Sequence, residues 1–146
     1  MIGIIVTGHG GFASGMAENV KMLSGVDVKA IDFKEGITPE ELDVKIVEAI
    51  SSLEDCANIV IFTDIPGGTP YNRSVMVSLN NPKVRIVAGT NVPMLLDAAI
   101  KNLSDSSYES TDELVDALME TAKEGVVKFV VPALNNNEEE DFEDGI

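Results

Sequence analysis

Short apolar runs rich in valine and isoleucine alternate along this chain with amphipathic segments of helical spacing. Such alternation is typical of α/β proteins, in which parallel strands are joined by helices that cover the sheet. The first run is apolar on both strand faces, as expected of a strand buried between two helical layers. We therefore predict a doubly wound α/β fold whose mainly parallel sheet has four strands, at residues 2–7, 28–33, 58–63 and 84–88.

A fifth apolar run, at residues 126–131, follows the last of these β/α units. A strand in this position must pair with the edge of a sheet, because its backbone N–H and C=O groups need partners. It can lie on the sheet of its own chain or extend onto the sheet of a second copy. Helical spacing and capping residues predict the helices at residues 12–23, 39–53, 71–79, 93–103 and 111–123.

The 146 residues are enough for one domain with a sizeable core. No apolar stretch reaches the roughly 18 residues that a membrane span needs. The first run has no basic segment before it and leads into a glycine-rich turn, which favours a strand over a signal peptide. The single cysteine, Cys56, excludes an internal disulfide and fits a reducing compartment. We therefore expect a cytoplasmic protein.

The net charge of the chain is −15, and six of the acidic residues lie among the last nine positions. We predict a domain at residues 1–132 and an acidic, disordered tail at residues 133–146, because so polar a segment cannot bury enough apolar surface to pack. Nucleic-acid binding requires a basic patch, which the sequence does not show, so no nucleic-acid partner is expected. The charge favours encounter with a basic protein partner or serves only to keep the protein soluble.

Two candidate reactive side chains follow predicted strands. His9, the only histidine, ends the first strand between glycines, and Asp64 ends the third strand before Gly67, Gly68 and Thr69. Sites in open α/β sheets form at the carboxyl ends of the strands, so adjacent first and third strands would bring His9 and Asp64 together. A carboxylate that accepts one ring N–H fixes the tautomer and leaves the other nitrogen free to attack.

The turn at Gly67, Gly68 and Thr69 runs into a helix, so its backbone N–H groups and the threonine hydroxyl are suited to phosphoryl oxygens. Together with the histidine and the carboxylate, these groups predict phosphoryl transfer. A structural role, in which Asp64 only caps the turn, is the alternative. One histidine and one cysteine cannot form a common zinc site, and no Walker motif is present, so we expect neither a metal nor a cofactor.

A rival interpretation is a small dinucleotide-binding module. Residues 8–13 formally fit Gly-x-Gly-x-x-Gly/Ala, and Asp32 ends the second strand about where a ribose-binding acid belongs. Against it, the turn that follows Asp64 has no role in such a site, and the chain length leaves no room for a substrate domain. The two interpretations differ in their test, because only the carrier forms a covalent adduct.

Three ordered motifs resemble those of the IIA components of the mannose-type sugar phosphotransferase system (PTS), which serves mannose, fructose, sorbose and gluconate. They are Val-Thr-Gly-His-Gly at residues 6–10, Asp-Ile-Pro-Gly-Gly-Thr-Pro at 64–70 and Ala-Gly-Thr-Asn-Val-Pro-Met-Leu at 88–95. The resemblance extends to about Pro132. It implies that His9 is the phosphorylated histidine, that Asp64 hydrogen-bonds it, and that Thr69 lines the phosphoryl site.

The resemblance also implies the partners of the protein. The donor would be the phosphocarrier HPr and the acceptor a IIB component, with the membrane components IIC and IID reached indirectly. Members of the family are homodimers in which a C-terminal strand crosses to the second copy, and they are phosphotransferases with a phosphohistidine intermediate. The IIA-like subunit of dihydroxyacetone kinase systems is an alternative, although it usually lacks the Asn-x-Pro-Met-Leu segment. The acidic tail in place of a linker implies a separate IIB protein, and Pro66 stands where some members carry an aromatic residue.

Overall fold

Over the residues that the structure describes, the sheet has four strands, all parallel, with helices on both faces. The structure is a computed structural model that describes residues 1–104 and 106–134. The strand order is β2-β1-β3-β4, which confirms the predicted doubly wound α/β fold. Each strand lies within two residues of its predicted bounds: β1 (Ile2–His9), β2 (Lys29–Phe33), β3 (Asn58–Thr63) and β4 (Val84–Val87).

The described residues form five helices, and three of them begin after a residue whose side chain caps the helix. Thr38, Asn91 and Ser110 each accept a hydrogen bond from the backbone N–H three residues further on, as N-cap side chains do. The third helix begins two residues earlier than predicted because proline is tolerated in a first turn, where its missing N–H is not needed. The helices are α1 (Phe12–Ser24), α2 (Pro39–Ser52), α3 (Thr69–Ser78), α4 (Val92–Leu103) and α5 (Thr111–Glu124).

The core lies in two layers, one on each face of the sheet. Alternate residues of the central strands point to opposite faces, so Val6 belongs to one layer and Ile5 to the other. Helices α1, α4 and α5 cover the first face, and α2 and α3 cover the second. Because both faces are buried, β1 and β3 are apolar along most of their length, as the sequence indicated.

Successive strands are added to the sheet on opposite sides of β1. Strand β2 lies on one side of β1, whereas β3 and then β4 lie on the other. Strands β1 and β3 pair in register, with Thr7 opposite Thr63, so His9 and Asp64 follow at neighbouring strand ends. This is the switch point at which open α/β sheets form their binding crevices.

The fifth strand predicted at residues 126–131 is not part of this sheet. Within the described ranges, residues 126–134 lie in no helix or strand, and the side chains of Val126, Val127, Val130 and Val131 are 76% to 82% exposed. A strand needs a neighbouring strand for its backbone groups, and none of the four strands of the described sheet pairs with this segment. Pairing with a second copy stays a prediction. Residues 135–146, most of the predicted tail, lie outside the described residues.

Candidate functional site

His9 and Asp64 are in direct contact at the switch point. The Nδ1 atom of the imidazole lies 2.7 Å from Oδ2 of Asp64, and the backbone N–H of His9 donates to the same oxygen at 2.9 Å. An ionised carboxylate only accepts hydrogen bonds, so Nδ1 carries a proton, and in the neutral imidazole Nε2 keeps its lone pair. The His9 side chain is 45% exposed and that of Asp64 only 15%. The site therefore presents a nucleophilic nitrogen to solvent above a sheltered carboxylate.

The environment of Asp64 lowers the pKa of its carboxyl group. Burial by itself would raise this pKa, but hydrogen bonds from the His9 backbone and ring and from the Ile65 backbone, with the attraction of the His9 ring, outweigh it. Because the pKa is lower in the folded than in the unfolded chain, the contact stabilises the fold above the ordinary carboxyl pKa of about 3.9 and loses this effect as the pH falls through the folded value. At neutral pH the carboxylate is charged.

The glycine turn after β3 brings the N-terminus of α3 beside the ring. A Cβ atom at Gly68 would lie 2.8 Å from Cε1 of His9, so only glycine leaves room for the imidazole here. Gly67 has φ +79°, and its carbonyl accepts a hydrogen bond from Nδ2 of Asn72 at 2.9 Å. No side chain caps α3 at its N-cap residue Gly68. The start of α3 therefore lies beside the imidazole, and the N–H groups of a first helical turn have no acceptor within the helix.

Phe33 is a site residue that the sequence reasoning missed. Its ring packs edge-on against the imidazole, with 5.9 Å between the ring centroids, and its carbonyl accepts the N–H of Gly10 at 2.8 Å. The parallel pairing of β1 with β2 places His9 opposite Phe33, and the sequence alone carries no signal of this register. On the other side of the histidine, Gly8 packs so tightly against Phe12 that a Cβ atom would collide with that ring. The imidazole itself contacts the Phe33 ring on β2 and the Asp64 carboxylate that follows β3.

Asp32 does not occupy a nucleotide-binding position. Its Oδ1 atom accepts the backbone N–H of Ser14 at 2.9 Å in the first turn of α1, where a dinucleotide phosphate would need to bind. This contact argues against the dinucleotide-binding interpretation. Among the described residues, no group of three or more histidine, cysteine, aspartate or glutamate side chains could hold a metal ion, and no helix is long and apolar enough to cross a membrane.

The structure thus places a histidine in contact with a carboxylate at the switch point of a parallel α/β sheet, beside a helix whose N-cap residue makes no side-chain cap. Residues 3–119 match the family model described as the PTS system fructose IIA component. The chain belongs to this EIIA-man family, the mannose-type IIA components of the sugar phosphotransferase system. The resemblance seen in the sequence is thereby confirmed.

Curated relatives carry names from the same system. The chain is 34% identical over 143 residues to the sorbose-specific EIIA component of Lacticaseibacillus casei, covering 95% of this chain and 99% of that protein. It is 31% identical over 127 residues to the mannose-specific EIIAB component of Escherichia coli K12, covering 86% of this chain. The chain spans 38% of the length of that EIIAB component.

Solved structures of IIA proteins share the fold. The phosphotransferase system component EIIA from Streptococcus agalactiae superposes with a TM-score of 0.76 at 31% identity, over 88% of this chain and 97% of that chain. The mannose/sorbose-specific IIA subunit from Enterococcus faecalis gives a TM-score of 0.78 at 25% identity, over 91% and 98% of the two chains. The four-stranded parallel architecture is thus that of the family.

Proposed function

We propose that this IIA component is a phosphoryl carrier, in which His9 accepts a phosphoryl group from phospho-HPr and passes it to the cognate IIB component. The observation that carries the proposal is the 2.7 Å contact between Nδ1 of His9 and Oδ2 of Asp64. This contact leaves Nε2 as the attacking atom and places a negative charge beside the ring, where it stabilises a cationic phosphoimidazole. Sugar uptake would follow through IIB and the membrane components IIC and IID.

The transfer step needs no group beyond the two histidines. Nε2 of His9 attacks the phosphorus of the donor phosphohistidine, a new N–P bond forms, and the N–P bond of the donor breaks with its electron pair returning to the donor imidazole. The proton on Nδ1 of His9 stays in its hydrogen bond to Asp64. Transfer to IIB is the same exchange in the opposite sense. The protein thus acts as a phosphotransferase with a phosphohistidine intermediate, without metal or cofactor.

The turn of Gly67, Gly68 and Thr69 is proposed to hold the phosphoryl oxygens. Three observations support this role: the close approach of Gly68 to the ring, the absence of a side-chain cap on α3, and the hydroxyl at the first residue of that helix. Helix N-termini bind anions because their N–H groups are unpaired and the helix dipole is positive there. A cytoplasmic location follows from the proposed donor, HPr, and acceptor, IIB.

Intact-mass spectrometry tests the proposal directly. The protein is mixed with phosphoenolpyruvate, enzyme I and HPr, and we expect the mass to rise by one phosphoryl group. Phosphoramidates of histidine are labile to acid, so brief acid treatment should reverse the change. Addition of a IIB component should also discharge it. Failure to form an adduct with HPr that is demonstrably phosphorylated would reject the carrier function, and nucleotide titration would then test the dinucleotide alternative.

Substitution of Gly68 by alanine is expected to slow phosphorylation between about tenfold and 10²-fold. The added methyl group would lie 2.8 Å from Cε1 of His9 and 3.1 Å from the Ile65 side chain, so the ring must move out of its present position. The initial rate of adduct formation by mass spectrometry measures the effect. Gly11→Ala is the matched control, because Gly11 is also an N-cap glycine with negative φ, whereas its Cβ would meet only Ser14 Oγ at 3.7 Å. Equal rates in the two variants would contradict the prediction.

We further propose that the protein is a homodimer in which residues 126–134 cover a second copy. Four valines of this segment are more than three-quarters exposed, and β4 forms an edge of the sheet to which another strand can be added. Sedimentation equilibrium should give twice the 15.6 kDa of one chain. Removal of residues 126–146 should give a monomer, whereas removal of residues 135–146 alone should leave the dimer intact. A dimer that survives the longer truncation would exclude this role of the segment.

A further inference from the structure

The third sequence motif, at residues 88–95, contributes no side chain to the site described above, yet its backbone reaches it. The N–H of Gly89 donates to the backbone carbonyl of Asp64 at 2.7 Å, and the N–H of Thr90 donates to the carbonyl of Thr63 at 3.2 Å. Both bonds lie beyond the last paired residue of β4, Val87. The point at which the chain leaves β3 and turns into the site is therefore held by two bonds from this motif.

The conformation of Gly89 allows both bonds. In an extended strand, successive N–H groups point in opposite directions, so two consecutive residues cannot both donate to the same neighbour. Gly89 adopts φ +72°, a left-handed conformation that bends the chain and turns both N–H groups towards the end of β3. Residues with a Cβ atom occupy this region at a cost, with asparagine the best tolerated and β-branched residues the worst.

The turn is anchored on its far side as well. The Oδ1 atom of Asn91 accepts the N–H of Met94 at 3.1 Å, and its Nδ2 donates to the carbonyl of Ala122 at 2.8 Å. These bonds fix the turn to the start of α4 and to the last turn of α5. The turn is thus a rigid support for β3, because it is tied to two helices that pack in the core.

We propose that the Gly89 turn positions Asp64, and that Gly89 is a positioning residue for phosphoryl transfer by His9. The inference rests on the proposed carrier function. One carboxylate oxygen, Oδ2, accepts hydrogen bonds from both the backbone N–H and the ring of His9. A rotation of the Asp64 backbone therefore disturbs both contacts together. The bond from Gly89 to the Asp64 carbonyl prevents this rotation. Groups that orient a nucleophile must be held within about 0.5 Å of their productive position.

A graded series at Gly89 tests the proposal. A Cβ atom there meets nothing within 4 Å, so the effect of Gly89→Ala reports the backbone conformation. The rate of phosphorylation from phospho-HPr should fall about tenfold in Gly89→Ala and about 10²-fold in Gly89→Val. Gly89→Asn should recover most of the rate. The pKa of Asp64, followed by the carboxyl carbon signal in an NMR titration, should rise in the same order as its hydrogen bonds from His9 weaken.

The same three substitutions at Gly25 are the matched control. Gly25 has φ +76° and an equally open Cβ position, but it caps the end of α1, where its N–H donates to Lys21. This series should lower the midpoint of denaturation in the same order and leave the rate and the pKa of Asp64 unchanged. An Asp64 pKa and a rate in Gly89→Ala equal to those of Gly25→Ala would overturn the proposal. If Gly89→Val does not fold, the comparison of Ala with Asn decides.

The two readouts separate this inference from the carrier function. If the unmodified protein takes up no phosphoryl group, the carrier function fails. The pKa of Asp64 would then still show whether the turn positions the carboxylate. If the unmodified protein is phosphorylated normally and the Gly89 series shows neither effect, only the positioning role fails.

Discussion

His9→Ala is expected to abolish phosphorylation of the protein, with no adduct detectable in the presence of phosphoenolpyruvate, enzyme I and HPr. His9 is the only histidine of the chain, and its Nε2 atom, which is not the atom bonded to Asp64, is the proposed acceptor of the phosphoryl group. The loss should be complete, because a phosphoryl carrier without its acceptor atom has no slower route. Intact-mass spectrometry measures the result, as in the test of the unmodified protein.

The fold should tolerate this substitution. The His9 side chain is nearly half exposed, and the backbone N–H of the same residue keeps its bond to Asp64 when the ring is removed. We expect the free energy of unfolding to fall by about 1 kcal/mol, the net value of one hydrogen bond. His9→Gln is a second variant that retains polar atoms near the ring position but lacks a nucleophilic nitrogen. An acid-labile adduct on either folded variant would place the phosphoryl group on another residue.

Asp64→Ala is expected to slow transfer by about 10²-fold and to leave the protein folded. Without the carboxylate, either ring nitrogen can hold the proton, the ring can turn, and the charge that stabilises a cationic phosphoimidazole is absent. Asp64→Asn separates these effects, because an amide oxygen can still accept the Nδ1–H bond while the charge is lost. Its rate should lie between those of the alanine variant and the unmodified protein. Single-turnover measurements with phospho-HPr give the three rates.

Asp97→Ala is the control for this series. Asp97 lies on α4, accepts the Thr121 hydroxyl at 2.6 Å, pairs with Lys101 at 3.2 Å, and is about as sheltered as Asp64. Its loss should reduce stability without slowing transfer. A rate for Asp64→Ala equal to that of the unmodified protein would remove the carboxylate from the mechanism. The contact between Asp64 and His9 would then have only a structural role.

Much of this site could be predicted from the sequence, because strand ends are local features. A valine-rich and isoleucine-rich run that stops at Gly8 places His9 at a strand end, and the run before Asp64 does the same for the carboxylate. Only the adjacency of β1 and β3 had to be assumed, and the sheet order confirms it. The position of the Gly67–Gly68 turn near the ring could be predicted in the same way, because this turn directly follows Asp64 at the end of β3.

What the sequence could not predict depends on register and on contacts between distant segments. Phe33 reaches the imidazole only because β1 and β2 pair with His9 opposite it. The support of Asp64 by Gly89 depends on the exact end of β4 and on one backbone angle. The segment at residues 126–131 has the composition of a strand but belongs to no strand in the described part of the chain. The composition of a segment indicates that it can form a strand. Only the assembled sheet shows which other strand it pairs with.

The shared acceptor oxygen of Asp64 has a consequence for the kinetics of exchange. Since the backbone N–H and the ring of His9 converge on one atom, the side-chain torsions of the histidine are restricted as soon as the sheet forms. For the proposed carrier function, the entropy of ordering the nucleophile is lost during folding, before either partner binds. We expect uptake and discharge to start from the same ring geometry. Such a carrier should exchange its cargo in both directions with a small reorganisation barrier, and the free energies of donor and acceptor alone would set the direction of flow.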